Sequence, residues 1–258
     1  MDNIQKLTES FQANTKIDEN TKGNLEYLIS VFQKRFPSVS LDNFCERLKT
    51  LQVVRGSKYV FEEATQYNPK DNTIVINQGL LQQEKVDARH SMMKTLLSII
   101  TAKDLSYGFA TNRSLEALNV GFCEIVANNL VGNEGESSYE DEQILVNSIG
   151  SSIGLEPFID AFFTNNSDLL ITKLFARCGS SVALDKFLSQ ANHNMHTRKQ
   201  MGTSRLFALQ QDAYLMFGSG YDFIMNKRTM EETIGLKYPE SEKLEQLSKT
   251  DLVETMKR

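Results

Sequence analysis

The chain contains no tryptophan, only four prolines and only three cysteines among its 258 residues. The odd number and wide spacing of the cysteines argue against the disulfide framework of a small secreted domain. Cys45, Cys123 and Cys178 each lie in an apolar helical pattern, which is typical of a buried, reduced thiol. The amino terminus lacks the apolar segment of a signal peptide. We therefore expect a cytoplasmic protein.

The sequence also lacks long apolar runs and an excess of positive charge. No segment approaches the roughly 18 apolar residues that span a bilayer, so we expect no membrane partner. The net charge is -5 and basic residues occur in isolated pairs such as Lys34-Arg35, so nucleic acid is not an expected partner either. The apolar fraction of 40% is large enough to fill a hydrophobic core.

Apolar residues with helical spacing dominate both ends of the sequence. A helix is predicted over residues 24–36, with Pro37 after it, and Ser40 is the predicted N-cap of the next helix. From residue 86 onward, apolar stripes recur at the same spacing, and Gly154 is predicted to end one of them. The stripes predict helices over residues 86–100, 115–130, 144–153, 156–163, 168–178, 182–191 and 204–226.

Between these helical parts, the period changes to short β-branched and aromatic runs. The predicted strands are Gln52–Arg55, Tyr59–Glu62 and Thr73–Ile76. We predict an α+β fold, with a small mixed or antiparallel sheet of about three strands within a mostly helical body. A single domain is expected over residues 1–235, followed by a charged tail over 236–258 that is a marginal helix or disordered.

Five segments follow one another in an order that resembles a known family. They are Tyr67-Asn68-Pro69-Lys70-Asp71-Asn72-Thr73-Ile74, Lys94-Thr95-Leu96-Leu97-Ser98, Asn119-Val120-Gly121-Phe122-Cys123-Glu124, Tyr139-Glu140-Asp141-Glu142 and Ile153-Gly154. Their order is similar to that in the zincin-like metallopeptidases with a glutamate ligand, and in particular in small zincin-like proteins of Gram-positive bacteria. The resemblance covers roughly residues 50–180, about half of the chain. It implies a zincin-like fold.

The resemblance also implies a zinc site for which this chain lacks the ligands. In the family, a His-Glu-x-x-His helix supplies two zinc ligands and the general base, and a glutamate on a second helix supplies the third ligand. Here Lys94 and Ser98 stand at the histidine positions, Thr95 at the base and Val120 at the third ligand. These side chains cannot hold a dication, and the one carboxylate that matches the family, Glu124, does not make a site alone. We expect no metal and no other cofactor.

The leading hypothesis is a catalytically inactive, metal-free zincin-like protein that binds an unidentified protein or peptide, or serves in assembly, through the inherited cleft. The candidate residues of that cleft are His90, Lys94, Thr95, Ser98, Val120 and Glu124. An extended peptide would add to an exposed strand edge beside the helix of Lys94. The predicted edge residues are Thr73, Ile74, Val75 and Ile76.

Two other functions are compatible with the same residues. Lys94 could reach across to Glu124 in a remodelled pocket, and a hydrolase could use Lys94 or His90 as its base. Against this stands the position of His90 on an apolar stripe, where a buried core histidine is common. The other possibility is a helical interaction module unrelated to zincins.

His193 and His196 are three residues apart, but no carboxylate or cysteine at a matching distance completes a metal site.

Overall fold

The residues described by the computed structural model lie mostly in α-helices, and the remainder include a small three-stranded sheet. The predicted α+β class is therefore confirmed. The structure describes residues 3–56, 63–83, 86–135, 137, 139–197, 212–213 and 216–217. The predicted strand Tyr59–Glu62, the predicted tail over 236–258 and most of the predicted helix over 204–226 lie outside these residues.

Three helices precede the sheet: α1 (Asn3–Ala13), α2 (Glu19–Arg35) and α3 (Asp42–Leu48). Helix α2 begins where the carboxylate of Asp18 accepts a hydrogen bond from the backbone N–H of Thr21, and Pro37 follows its end. Its apolar face is buried, as the spacing predicts. The buried apolar residues of α2 are Leu25, Leu28, Ile29 and Phe32.

The start of α3 differs from the prediction. Leu41, and not Ser40, occupies the N-cap position, and its apolar side chain makes no capping hydrogen bond. The Ser40 hydroxyl accepts a hydrogen bond from the backbone N–H of Asp42 and donates one to its carboxylate. Ser40 therefore fixes the turn before the helix, which is the local role that serine takes when its hydroxyl competes for backbone groups.

The sheet is mixed, and its strands are β1 (Gln52–Gly56), β2 (Thr65–Asn68) and β3 (Thr73–Asn77). Their order is β1-β3-β2, with β1 parallel to β3 and β2 antiparallel to it. The turn between β2 and β3 holds Asn72 at φ 48°, a left-handed conformation that asparagine tolerates better than most residues. Of the two arrangements that the sequence left open, the mixed sheet is the one formed.

The prediction that Thr73, Ile74, Val75 and Ile76 form an edge strand is wrong. Strand β3 is the central strand, and Ile74 is paired with Val53 on one side and with Tyr67 on the other. Its two edges are therefore already occupied by neighbouring strands and cannot accept an added peptide. The physical reason is that Thr65–Asn68, for which the sequence pattern predicts no strand, forms β2 and folds back on β3.

A short helix, α4 (Gln78–Leu81), follows β3 directly, and α5 (Ala88–Ile100) comes after it. The carboxylate of Asp87 begins α5 by accepting hydrogen bonds from the backbone N–H groups of Arg89 and His90. Every residue of α5 from His90 to Ile100 is buried. This helix packs against β2, α2 and α3, so its polar residues lie in the interior. A small hairpin of β4 (Ala102–Lys103) and β5 (Ser106–Tyr107) follows.

The rest of the described chain is helical. The remaining helices are α6 (Glu116–Val131), α7 (Glu140–Ile153), α8 (Glu156–Thr164), α9 (Asp168–Cys178) and α10 (Ser181–Thr197). Gly154 ends α7 at φ 85°, as predicted, and Gly179 ends α9 at φ 72°. Helix α10 ends at Thr197, so His193 and His196 lie in its last turns; both are exposed.

The described residues fall into two compact units. The first combines residues up to 111 with 123–138 and 162–165, and the second combines 112–122 and 139–161 with the residues from 166 onward. The fully buried phenylalanines and leucines of the first unit include Phe32, Phe44, Leu48, Leu96 and Phe109. Those of the second include Phe122, Phe158, Leu170 and Leu174. Each unit thus has an apolar core of its own.

Candidate functional site

The centre of the candidate site is Lys94, whose long side chain is buried in the middle of α5 and is only 7% exposed as a residue. Its ammonium group contacts the carboxylates of Glu63 and Glu124. Glu63 lies shortly before β2, and Glu124 lies on α6 within the first unit. The side chains of Glu63 and Glu124 are 14% and 1% exposed. One cation therefore links three segments of the chain in the interior.

Glu124 uses both of its carboxylate oxygens. Oε2 faces the Lys94 ammonium, while Oε1 accepts a hydrogen bond of 2.6 Å from the Ser137 hydroxyl. The Nε2 atom of His90 lies 4.0 Å from the same Oε1. Burial of a carboxylate is costly unless its charge is paired, and the Lys94 ammonium and the Ser137 hydroxyl lower that cost for Glu124.

Lys94 and Glu124 each stabilise the charged form of the other. Burial on its own opposes the charge on Lys94, but the carboxylates of Glu63 and then Glu124 outweigh it and raise the pKa of the ammonium. Burial likewise opposes the charge on Glu124, but Lys94 and then His90 outweigh it and lower the pKa of the carboxyl group. Lys94 is therefore an ammonium and Glu124 a carboxylate throughout the neutral pH range.

His90 lies one turn before Lys94 and is buried on the same side of α5. Burial, more than the nearby ammonium of Lys94, lowers the pKa of this imidazole, although the Glu124 carboxylate opposes the effect. A neutral imidazole is the result at neutral pH. Its Nε2 atom has no hydrogen-bond partner among the residues that the structure describes.

The neighbouring side of α5 carries a network of three hydroxyl groups. The Thr65 hydroxyl lies 3.0 Å from that of Ser91 and 2.8 Å from that of Thr95. The backbone N–H of Thr65 also donates to the Ser91 hydroxyl at 2.9 Å. Because Thr65 is the first residue of β2, these bonds attach α5 to the outer edge of the sheet at that position.

Of the six residues predicted for the cleft, the structure brings His90, Lys94 and Glu124 together. Thr95 belongs to the hydroxyl network instead. Ser98 is buried and donates to the carbonyl oxygen of Lys94 at 2.9 Å within the helix. Val120 is half-buried on α6, one turn before Glu124, and belongs to the second compact unit.

Two members of the cluster, Glu63 and Ser137, were not predicted. Glu63 follows the predicted strand Tyr59–Glu62. Ser137 lies in an acidic segment whose composition is typical of a solvent-exposed loop. Neither has a spacing pattern that relates it to Lys94, which is 31 residues from Glu63. The only available signal was indirect: a lysine in an otherwise buried helix requires a carboxylate partner.

The arrangement does not suit a metal ion. Within the described part of the chain, no group of three or more His, Cys, Asp or Glu side chains has the geometry to hold one. The carboxylates of Glu63 and Glu124 already share the Lys94 ammonium as a counter-ion. The zinc that the resemblance would imply therefore does not fit these residues, because an ammonium repels a dication and Ser98 is turned to the helix backbone.

The three cysteines of the chain lie on described helices. Cys45, Cys123 and Cys178 are free thiols; the first two are buried and the third is half-buried. Burial raises the pKa of the Cys123 thiol, which lies beside the Lys94 carbonyl group. None of the described helices combines the length and the apolar character needed to cross a membrane.

Comparison of the chain with protein-family models, with curated proteins and with solved structures gave no match. The class that the structure itself defines is an α+β protein with a small mixed sheet.

Proposed function

We propose that this chain is a catalytically inactive, metal-free relative of the zincin-like metallopeptidases that acts by binding a protein or peptide, or in assembly. One observation supports this more than any other: the buried Lys94 ammonium lies between Glu63 and Glu124, at the position where the family has its first zinc-binding histidine. The positive charge of the metal is replaced by a positive charge of the chain. The free thiols favour the cytoplasm as the compartment.

The secondary structure around Lys94 supports the zincin-like interpretation over an unrelated helical module. Residues 73–76 form a strand, and the sheet that contains them packs through β2 against the helix of Lys94. A helical interaction module would not require a sheet packed beside a helix with buried polar residues.

The alternative hydrolase has less support. A lysine base must lose its proton near neutral pH, whereas the carboxylates raise the pKa of Lys94. His90 has a lowered pKa, but its imidazole is buried and only 5% of the residue is exposed, so a substrate has no direct access to it. Both groups have the properties of structural elements.

The metal-free part of the proposal is tested by elemental analysis. Protein expressed from its natural sequence, washed with chelator and analysed by inductively coupled plasma mass spectrometry should contain no stoichiometric zinc. One tightly held zinc per chain would contradict the proposal.

The zincin relationship is tested by restoring the family's residues. The triple variant Lys94→His/Thr95→Glu/Ser98→His should bind one zinc ion, because two imidazoles one turn apart on α5 would offer ligands beside the Glu124 carboxylate. The matched variant Lys94→His/Thr95→Glu, which lacks the second imidazole, should bind zinc more weakly. If the triple variant folds, as judged by circular dichroism, and still shows no zinc binding in isothermal calorimetry, the relationship is wrong.

The proposed binding of a partner requires a surface other than the predicted cleft around Lys94. His90, Lys94 and Ser98 are all less than 9% exposed, so a partner cannot reach these side chains without opening the fold. A catalytic assay with generic peptide substrates should show no turnover, while the protein should retain a partner at an exposed surface of the first unit.

A further inference from the structure

A separate groove lies in the first unit, on the side of α5 opposite Lys94. Its volume is about 380 Å³, within the range of roughly 300–1,000 Å³ that ligand sites in proteins usually have. Leu28, Ile76 and Met92 provide apolar surface from α2, β3 and α5. These three residues are buried, so the apolar surface belongs to the interior of the groove rather than to its rim.

Helix α2 lines the groove with polar side chains at its rim. Asn20, Asn24 and Tyr27 are exposed and follow one another at helical spacing, so they lie along one stripe of the helix. None of these three side chains has a hydrogen-bond partner among the described residues. An asparagine amide offers both donors and an acceptor, which is the combination that pairs with the N–H and C=O groups of an extended backbone.

Arginine side chains contribute the charge of the groove. Arg55 is engaged, because its guanidinium donates to the Asp18 carboxylate at 2.6 Å and to the Thr21 hydroxyl at 2.8 Å. Arg89 lies on α5 and is exposed, and its guanidinium has no hydrogen-bond or ion-pair partner in the described part of the chain.

The nearest carboxylate to Arg89 in sequence does not neutralise it by a direct bond. The Asp87 carboxylate accepts hydrogen bonds from the backbone N–H groups of Arg89, His90 and Glu134, and those amides occupy both of its oxygens. The Arg89 guanidinium interacts with the Asp87 carboxylate only through space. The N–H donors of this guanidinium are therefore available for an anionic partner, and their planar arrangement matches a carboxylate.

We propose that this groove binds an extended segment of a partner protein in which an apolar side chain lies within two positions of an Asp or Glu. The apolar side chain enters between Leu28, Ile76 and Met92, and the acidic side chain meets Arg89. Arg89 and Met92 are three residues apart on α5, roughly 5 Å along the helix axis, which an extended peptide spans in one or two residues. The inference rests on the proposed binding function and assigns it a surface and a partner chemistry.

The probe is a phage-displayed library of random dodecapeptides selected on the full chain. Enriched peptides should share an apolar residue within two positions of an Asp or Glu. In fluorescence anisotropy, a selected peptide labelled with fluorescein should lose roughly tenfold or more of its affinity for Arg89→Glu, because the contact becomes a repulsion. Ala88→Trp, which fills the groove from α5, should abolish binding.

The control is Lys103→Glu, which makes the same charge reversal at an exposed residue of the β4–β5 hairpin and should leave the affinity unchanged. Circular dichroism and urea unfolding check that each variant is folded. If Ala88→Trp does not fold, Asn24→Asp takes its place and should weaken binding by repelling the acidic side chain.

The inference is overturned if no sequence is enriched, if the enriched peptides show no preference for Asp or Glu, or if their affinity is unchanged by the substitutions at residues 88 and 89. These outcomes do not touch the metal-free proposal, which stands or falls on zinc content and on the restored variant. Zinc in the natural protein would conversely refute that proposal and leave the peptide result intact.

Discussion

The hydroxyl of Thr95 lies 2.8 Å from the hydroxyl of Thr65, and this contact attaches the middle of α5 to the first residue of β2. Both side chains are 2% exposed as residues, and Ser91 completes the network. Thr95 therefore takes part in a hydrogen-bond contact between a buried helix and a strand.

Replacing Thr95 with valine should destabilise the fold. The substitution keeps the shape but leaves the Thr65 hydroxyl with one partner fewer, so we expect a loss of about 1 kcal/mol in the free energy of unfolding. Urea unfolding followed by circular dichroism measures it. The double variant Thr65→Val/Thr95→Val should cost less than the sum of the two single changes, since both remove the same bond; strictly additive effects would contradict the direct contact.

Removing the Lys94 charge should be far more damaging. Lys94→Met leaves the buried Glu63 and Glu124 carboxylates without a counter-ion, for which we expect a loss of about 3–5 kcal/mol. Adding Glu63→Gln and Glu124→Gln to the same chain should recover much of this loss, because no uncompensated charge remains. The exposed Lys103→Met is the control and should change stability by less than about 0.5 kcal/mol. A mild effect of Lys94→Met would mean that the ammonium is not buried in solution.

The stability of the protein should fall on the acid side in two steps. The folded state lowers the pKa of His90 below 6.5, so protonation favours unfolding as the pH drops below that value. It also lowers the pKa of Glu124 below 4.5, so a second loss begins below about that pH. Urea unfolding at a series of pH values measures both. The first step should disappear in His90→Gln and persist in His193→Gln, which changes an exposed histidine.

On the alkaline side the sign reverses for Lys94. Its pKa is raised in the folded state above the ordinary 10.5, so its contribution is fully present below pH 10.5 and declines only as the pH rises beyond that value. Unfolding midpoints are measured from neutral pH to pH 11. Below pH 10, the natural protein should show no decline that is absent from Lys94→Met. A decline near pH 8 that vanishes in this variant would show that the lysine loses its proton too easily for the ion pair described.

Substitution by alanine at two helical glycines should change the stability of the protein in opposite directions. A Cβ at Gly121 of α6 would lie 2.2 Å from the backbone carbonyl oxygen of Glu142 in α7, so Gly121→Ala must separate the two helices. We expect a loss of about 2 kcal/mol or more in the free energy of unfolding. Gly23 of α2 has open space around its Cβ position, and Gly23→Ala should stabilise the protein by about 0.5–1 kcal/mol. Thermal unfolding distinguishes the two.

The helices and the central strand are predictable because their apolar periods are strong. Asp168–Cys178 is the predicted helix α9, and Gly154 ends α7 as its conformational freedom suggests. The position of β3 within the sheet is not predictable in this way. Its edges depend on Thr65–Asn68, a short run beside a proline turn, and on a parallel pairing with β1 that has no local signature.

The candidate site was predictable only in part. His90 and Lys94 share a face of one helix, and the charge of Glu124 makes it the natural partner for a buried lysine. Glu63 and Ser137 come from segments far away in sequence, and nothing in their neighbours shows that they meet at Lys94. Periodicity identifies which face of a helix is buried, but it does not identify what is on the opposite side of the contact.

The ammonium between Glu63 and Glu124 cannot dissociate, because a covalent bond holds it to the chain. Every molecule leaves the ribosome with this cation already present, one for the two carboxylates that it contacts. The positive charge that Lys94 supplies at this cluster is therefore independent of the concentration of any dissociable ion.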